Sequence, residues 1–201
     1  REAEITAGVD FTPIIPYLLD GENNIREVIG KAAESNAEYL LPGAGMTLRS
    51  NQKTRWLELL KENWPELIEK YEKLYGESQE PNREYAVRVN RKAFEICEEF
   101  NIKTYISPPD FERPLKENFH VANLLLLIAY FKERRMGNPY EAWAYHKAAQ
   151  NIEELKESIH AIHNKNALEK ISGVGKNLAE TIKEYLDTGK SEKLERLKTE
   201  W

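Results

Sequence analysis

A short glycine turn, Gly173-Val174-Gly175-Lys176, separates two helix-like segments near the end of this chain. Glycine tolerates the positive φ that a sharp turn between helices requires, and it lets another backbone approach closely. The following segment, Asn177–Ile182, predicts a helix start, where unsatisfied N–H groups and a partial positive charge can receive a phosphate oxygen. Lys176 adds a full positive charge. The motif predicts either a phosphate-binding hairpin or a plain turn between packed helices, and by itself it favours the plain turn.

The segments on either side of the glycines shift the interpretation towards binding. They are NPYEAWAYHKAA (138–149), IEEL (152–155), LEKI (168–171), IKEYLDTGK (182–190) and LERL (194–197). In this order they closely resemble the N-terminal four-helix domain of the family X DNA polymerases. The resemblance covers roughly Asn118 to Trp201, with an opening helix from Asn118 to Met136. It implies a small all-α helix-hairpin-helix domain that holds a DNA backbone, often at a gap or a 5′-phosphate.

The resemblance also implies which residues contact DNA phosphates and which chemistry is absent. In some family members a lysine after the hairpin attacks a sugar aldehyde, but here Thr181 takes that position, and threonine cannot form a Schiff base. A phosphate-side lysine is replaced by Glu141, which repels phosphate. Lys183 lies two residues after Thr181. Because each residue turns the helix by about 100°, Lys183 points to a different side of the helix. No catalytic residue is predicted. The predicted phosphate-binding residues are Lys170, Gly173, Val174, Gly175, Lys176 and Asn177.

Charge and composition limit the kind of protein further. The 201 residues suffice for two small domains, and a net charge of −5 argues against a uniformly basic nucleic-acid binder. Residues 1–117 hold 16 Lys and Arg against 22 Asp and Glu, whereas residues 118–201 hold 13 against 12. We therefore expect a local and weak contact with DNA. The sequence shows no membrane-length apolar run and no signal peptide, and its single Cys fits a reducing interior, which predicts a cytoplasmic location.

The first part of the chain has the pattern of a βαβ unit. Ile5–Ile15 is rich in β-branched and aromatic residues and predicts a strand. Apolar residues recur at helical spacing over 25–33, and Ala37–Leu41 predicts a second strand that ends at the turn 42–45. This order implies parallel strands. Because two strands leave both edges open, we expect another chain or a further segment of this protein to cover an edge.

Beyond Gly45 the chain is predicted to be largely helical until a proline-rich loop. The loop contains Ser107-Pro108-Pro109 and Pro114, and it marks a domain boundary. We therefore predict a first domain over 1–107, a linker over 108–117 and a second domain over 118–201. The expected elements before the boundary are helices over 51–63, 65–75 and 82–100 and a short strand over 102–106.

Four short segments of the first domain, taken together, resemble segments of a known enzyme family. They are TPIIPYL (12–18), NNI (23–25), GAGMTLR (43–49) and YEKLYG (71–76). They resemble the closing part of radical S-adenosylmethionine enzymes of the spore photoproduct lyase type, over roughly residues 4–107. The resemblance implies an α/β fold made of the last βα units of a partial TIM-like barrel. It also implies an adenosylmethionine pocket walled by Ile14, Ile15, Leu41 and Gly43.

One departure from that family is decisive for this chain. The family holds a [4Fe–4S] cluster with three thiolates from a CxxxCxxC loop, and this chain has only Cys97. No metal or cofactor is therefore ligated by this chain alone. Either an N-terminal half exists on a separate or removed segment, or the chemistry is lost. The late start of the βαβ pattern and the absence of an initiator Met favour the missing half, and adenosylmethionine and the cluster are implied only for that complete protein.

Two functions follow. The first is the DNA-binding C-terminal part of a nucleic-acid-associated radical enzyme in DNA repair or modification. The second is a non-catalytic module whose hairpin domain packs on a protein partner. Salt-dependent DNA binding separates them.

Other candidate sites have simpler interpretations. Cys97 lies on an apolar helical stripe and is expected to be a core residue. His160 and His163 are three residues apart, but no third metal ligand is evident, so a solvated helix face is the better interpretation. The basic cluster Arg88, Arg91 and Lys92 is likewise expected to be solvated. Three aromatic residues of the second domain are expected to pack in its core, namely Tyr140, Trp143 and Tyr145.

Overall fold

The computed structural model describes residues 6–108, 112–135 and 139–199, and the side chains of Pro139 and Thr199 are not described. The chain divides into two compact units, Arg1–Ser107 and Pro108–Trp201. What each unit does in the protein stays a prediction. The first unit contains, in order, strand β1 (Val9–Ile14), helix α1 (Glu22–Glu34), strand β2 (Leu40–Ala44), helix α2 (Gln52–Asn63), a 3-10 turn (Pro65–Leu67), helix α3 (Ile68–Tyr75) and helix α4 (Arg83–Glu99).

The predicted βαβ arrangement is confirmed, since β1 and β2 pair in parallel with Val9 opposite Leu40 and Ile14 opposite Ala44. β2 begins three residues later than predicted and includes residues 42–44, which were expected to form a turn. Gly43 makes this possible, because a Cβ there would lie 2.2 Å from Thr12 Cγ2. Any larger residue would push the strands apart. The first residue of the predicted strand, Ile5, lies outside the described residues.

The strand predicted over 102–106 is wrong. A single bridge joins Tyr39 to Lys103, and the Leu40 N–H donates to the Lys103 carbonyl at 2.8 Å. Among the described residues of this unit the sheet therefore has two strands, with one bridge beside it. The βα pattern is present, and the partial barrel stays a prediction.

The core of the first unit forms where α1, α3 and α4 cover the short sheet. Ile14, Ile29 and Leu40 are fully buried. The Tyr71 hydroxyl donates to the Pro16 carbonyl at 2.8 Å, so this buried phenol keeps its hydrogen bond. Cys97 is completely buried in the same core, as predicted, and burial raises the pKa of its thiol to about 12.

The second unit is all-α, as predicted. α5 begins two residues before the expected Asn118, and the predicted helix end at Met136 and domain end at Trp201 lie outside the described residues. The described residues form five helices rather than the expected four. The elements are α5 (Lys116–Arg134), α6 (Pro139–Glu153), α7 (Ile159–Asn164), a 3-10 turn (Leu168–Lys170), α8 (Lys176–Thr188) and α9 (Glu192–Thr199).

The buried residues of α5 organise this unit. Leu125 and Ile128 are fully buried, as are Ile152 of α6 and Ile182 of α8. The buried side chain of Asn118 accepts from the Ile159 N–H at 2.8 Å and donates to the Glu157 carbonyl at 3.0 Å. A satisfied buried amide of this kind fixes one geometry, so it ties the start of α7 to α5. Within the described part of the chain, no helix is both long and apolar enough to cross a membrane.

Candidate nucleic-acid interface

The hairpin turn is a tight four-residue turn from Ile171 to Val174, closed by a 3.0 Å hydrogen bond from the Val174 N–H to the Ile171 carbonyl. Gly173, its third residue, has φ of +81°, the conformation that a type II turn requires there. Asn151 of α6 donates to the Ser172 carbonyl at 2.6 Å. Val174 is buried, whereas Ser172 and Gly173 are exposed.

Helix α8 begins directly after this turn, with Gly175 as its N-cap residue and no side-chain cap. The φ of Gly175 is −84°, so of the two glycines in the turn only Gly173 has the positive φ that the sequence predicts for a sharp turn. A Cβ added at Gly175 would meet nothing within 4 Å. The first-turn N–H groups of α8 have no acceptor inside the helix. Because no side chain caps them, they are available to an oxygen ligand.

An open groove of about 520 Å³ lies beside the start of α8. Four helices contribute to it: α5 gives Lys132, α6 gives Glu141 and Tyr145, α8 gives Lys176, and α9 gives Lys193. Tyr145 is buried beneath the lysines. The ammonium groups of Lys132 and Lys193 lie 5.8 and 5.7 Å from the centre of its ring, and Lys193 also donates to its hydroxyl at 3.0 Å. The groove thus combines three lysines with one carboxylate.

The charges of the groove are not equally available to a ligand. Lys132 pairs with Glu141 at 2.6 Å, and this ion pair lowers the pKa of the Glu141 carboxyl. Lys193 donates a hydrogen bond to the Tyr145 hydroxyl. Lys176 is exposed, and within the described residues it has no ion-pair partner. Of the three lysines, Lys176 can therefore bind an anion without first breaking an ion pair or a hydrogen bond with another described residue.

The predicted phosphate-binding residues are partly brought together. Gly175, Lys176 and Asn177 line the groove, whereas Lys170 ends the 3-10 turn and is exposed outside it. Val174 can offer only its backbone, because its side chain is 4% exposed. Whether any of these residues touches DNA stays a prediction.

The structure also places the two residues considered for lyase chemistry. Thr181 is buried and its hydroxyl donates to the Asn177 carbonyl at 3.0 Å. Lys183 is exposed and lines a different depression, together with His163 and Glu169. Neither residue presents an amine to the groove.

Lys132 and Lys193 could not be predicted as groove residues, because their positions in the chain are far from the hairpin and only the fold brings them to it.

The prediction that three aromatic residues pack in the core is wrong for two of them. Tyr140 is 80% exposed and Trp143 is 61% exposed, while Tyr145 is buried as predicted. The helical periodicity could have shown this. The buried residues of α6 follow one stripe that omits both, namely Ala142, Tyr145, Ala148, Ala149 and Ile152.

The predicted adenosylmethionine wall lies at the sheet of the first unit. Ile14 is fully buried in the core, and Ile15, Leu41 and Gly43 are half-buried. The contact of Gly43 with Thr12 accounts for that glycine through strand packing. The wall stays a prediction.

With a single Cys in its sequence, this chain does not fit an iron–sulfur cluster held by three thiolates. Its one thiol, Cys97, is buried with a raised pKa. Among the described residues no group of three or more His, Cys, Asp or Glu side chains could hold a metal ion. His163 lies 2.8 Å from an Asp187 oxygen, so it is half of an α7–α8 contact rather than part of a solvated face. Lys92 of the basic cluster likewise pairs with Glu22 at 3.1 Å.

Together, the all-α unit, the tight glycine turn and the uncapped helix start define a helix-hairpin-helix domain, and residues 116–191 match the family of that description. Over 80 residues the chain is 38% identical to the DNA polymerase/3′-5′ exonuclease PolX of Bacillus subtilis (strain 168). The similar region is 40% of this chain and 14% of that protein, so the chain spans only a small part of the relative's length. No solved structure matches the chain.

Proposed function

We propose that the second unit binds the backbone of DNA without reading its bases. The observation that carries this proposal is the groove at the start of α8, where uncapped N–H groups, an unpaired Lys176 and an N-cap without a side chain meet. The match to a helix-hairpin-helix domain and the similarity to a protein named as a DNA polymerase support DNA as the ligand.

The groove holds a phosphate by complementary charge and hydrogen bonding. A phosphate oxygen accepts from the first-turn N–H groups of α8, whose partial positive charge favours an anion. The Lys176 ammonium then closes over the phosphate, and Lys193 reaches a neighbouring phosphate by leaving the Tyr145 hydroxyl. Such contacts fix position and carry no sequence information. Glu141 opposes any further phosphate close to the groove, so few phosphates are bound.

The proposed role is binding without lyase chemistry. A Schiff base needs an amine at the sugar carbon, and the position that would supply it holds the buried hydroxyl of Thr181. The ion pair between Lys132 and Glu141 also removes one lysine from the groove's free charge. The domain therefore serves to hold the protein that carries it on DNA.

The test compares two charge reversals on the same helix. Lys176→Glu is expected to weaken binding to two duplexes of unrelated sequence by the same factor. The slope of log K against log salt should become shallower by about 0.9 for each phosphate that the variant no longer neutralises. Lys183→Glu is the matched control, since Lys183 is an exposed α8 lysine outside the groove. Fluorescence anisotropy over a series of salt concentrations measures both.

The competing function is a non-catalytic module whose hairpin packs on a protein partner. The nearly balanced charge of residues 118–201 favours it. Wild-type protein that binds no DNA even at low salt would overturn DNA binding and leave this alternative. Equal effects of the two charge reversals would move the DNA contact away from the groove.

A role within a complete radical S-adenosylmethionine enzyme acting on nucleic acid stays a prediction from sequence. The parallel βαβ unit is compatible with it, and the residues of this chain supply no cluster ligands. A CxxxCxxC motif encoded upstream of Arg1 would support this role, and an upstream sequence without one would remove it.

A further inference from the structure

We propose that Trp143, with Lys147 beside it, forms a platform on which an unpaired base of the bound DNA strand stacks. This inference rests on the proposed DNA binding and adds the kind of DNA that is preferred. Trp143 and Tyr140 are the two most exposed large apolar side chains among the described residues, at 61% and 80%. Leaving a large aromatic side chain in water forgoes stabilisation that its burial would give, so two neighbouring ones indicate a contact surface.

The platform is connected to the hairpin through one face of α6. Tyr140, Trp143, Lys147 and Asn151 follow one another at spacings of three and four residues, which places them on the same face. Asn151 holds the Ser172 carbonyl at 2.6 Å. The Lys147 Cγ lies 3.6 Å from the point where a Cβ on Gly173 would stand. A strand held at the hairpin can therefore continue along this face.

The distances suit a strand that leaves the hairpin along α6. At about 1.5 Å per residue, Trp143 lies about 12 Å along the helix axis from Asn151. Between them, Lys147 offers a positive charge for a phosphate. Its ammonium lies 5.3 Å from the centre of the Trp143 ring. A charge followed by an aromatic face is the arrangement that proteins use to hold single-stranded nucleic acid.

The interaction free energies favour a base on the Trp143 ring over the contact of that ring with Lys147. An exposed cation–π contact is worth about 0.5–1 kcal/mol, whereas a stacked base contributes about 1–3 kcal/mol. A base can therefore displace Lys147 from the ring, and the lysine gains a phosphate in exchange. The bases of an intact duplex are paired and stacked on one another, so their faces are covered. The platform consequently distinguishes single-stranded or gapped DNA from a blunt duplex.

The experiment measures the full chain against two fluorescent ligands, an oligothymidylate strand and a blunt duplex. Trp143→Ala is expected to weaken binding to the single strand by about 5- to 140-fold, from the stacking contribution per base. Its affinity for the blunt duplex should stay unchanged. Trp143→Phe should retain most of the affinity for the single strand, because phenylalanine keeps a π-face. The control is Trp64→Ala, which removes an exposed tryptophan from the first unit.

Lys176→Glu separates the two proposals, because it should weaken binding to both the oligothymidylate strand and the blunt duplex. If the wild type binds both ligands and Trp143→Ala alters neither, the platform is overturned while backbone binding stands. If Trp143→Ala weakens both ligands equally, Trp143 supports the fold or the backbone contact, and base stacking is overturned. A wild type that binds neither ligand overturns both proposals and leaves the exposed aromatics as a protein-docking surface. Circular dichroism confirms that each variant is folded.

Discussion

The two glycines of the hairpin should respond differently to the addition of one methyl group, Gly173 in stability and Gly175 in affinity for DNA. Gly173 has a φ of +81°, and an alanine in the left-handed region costs about 1–2 kcal/mol. Its Cβ would also lie 3.2 Å from Asn151 Nδ2, which is donating to the Ser172 carbonyl. If Asn151 must withdraw, a further hydrogen bond worth about 0.5–1.5 kcal/mol is broken. Gly173→Ala should therefore destabilise the second unit by about 1.5–3.5 kcal/mol.

Gly175→Ala is the matched substitution two residues later. Its φ is −84°, and the added Cβ meets nothing within 4 Å. Alanine is a poorer N-cap than glycine, but it reduces the entropy of the unfolded chain, and these small effects offset each other to within about 0.5 kcal/mol. The same Cβ stands at the wall of the groove, where the proposed phosphate approaches. Stability should hold while affinity for DNA falls.

Hydrogen–deuterium exchange of the α6 and α8 amides measures the stability of the second unit within the full chain. Fluorescence anisotropy with duplex DNA supplies the affinities. If Gly175→Ala lowers protection as much as Gly173→Ala, the assignment of the strained position to Gly173 is refuted. If Gly175→Ala leaves DNA affinity unchanged, the phosphate does not approach past that residue.

Two further predictions concern single side chains. Glu141→Gln should strengthen DNA binding and steepen the salt dependence by about 0.9 in slope, because Lys132 then becomes available to one more phosphate; unchanged salt dependence would show that Lys132 does not reach DNA. The Cys97 thiol should resist alkylation in the folded protein at neutral pH and react only after denaturation, because it is fully buried and its pKa is raised to about 12; rapid labelling, followed by mass spectrometry, would contradict its place in the core.

The parts of the fold that could be predicted are those set by local sequence. The apolar spacing of α1 and α4 and the glycine turn before α8 depend on neighbouring residues, so the sequence carries them. The strand limits were less predictable. β2 extends through Pro42 and Gly43 because Thr12 of the other strand packs against the glycine, and that packing is invisible in β2 itself.

The candidate site also has a part that local sequence predicts and a part that only the packing of helices determines. The hairpin residues are contiguous, so the motif located them. Lys132 and Lys193 come from α5 and α9, and only the packing of four helices brings them to Lys176. The exposure of Trp143 could have been predicted from the helical stripe of α6, but composition alone suggested that so small a domain would bury its aromatic residues.

The contact between the two ends of the second unit has a consequence for the groove. Arg135, which follows α5, donates to the carbonyls of Arg196 and Leu197 at 3.3 and 3.1 Å, and so holds the last turn of α9. α9 also carries Lys193 at its opposite end. The contact of Arg135 with the end of α9 therefore fixes α9 against the end of α5. It helps to position Lys193 in the wall of the groove, although it lies at the other end of α9. A fragment that ended after α8 would keep the glycine turn but would lack α9, which supplies Lys193 to one side of the groove.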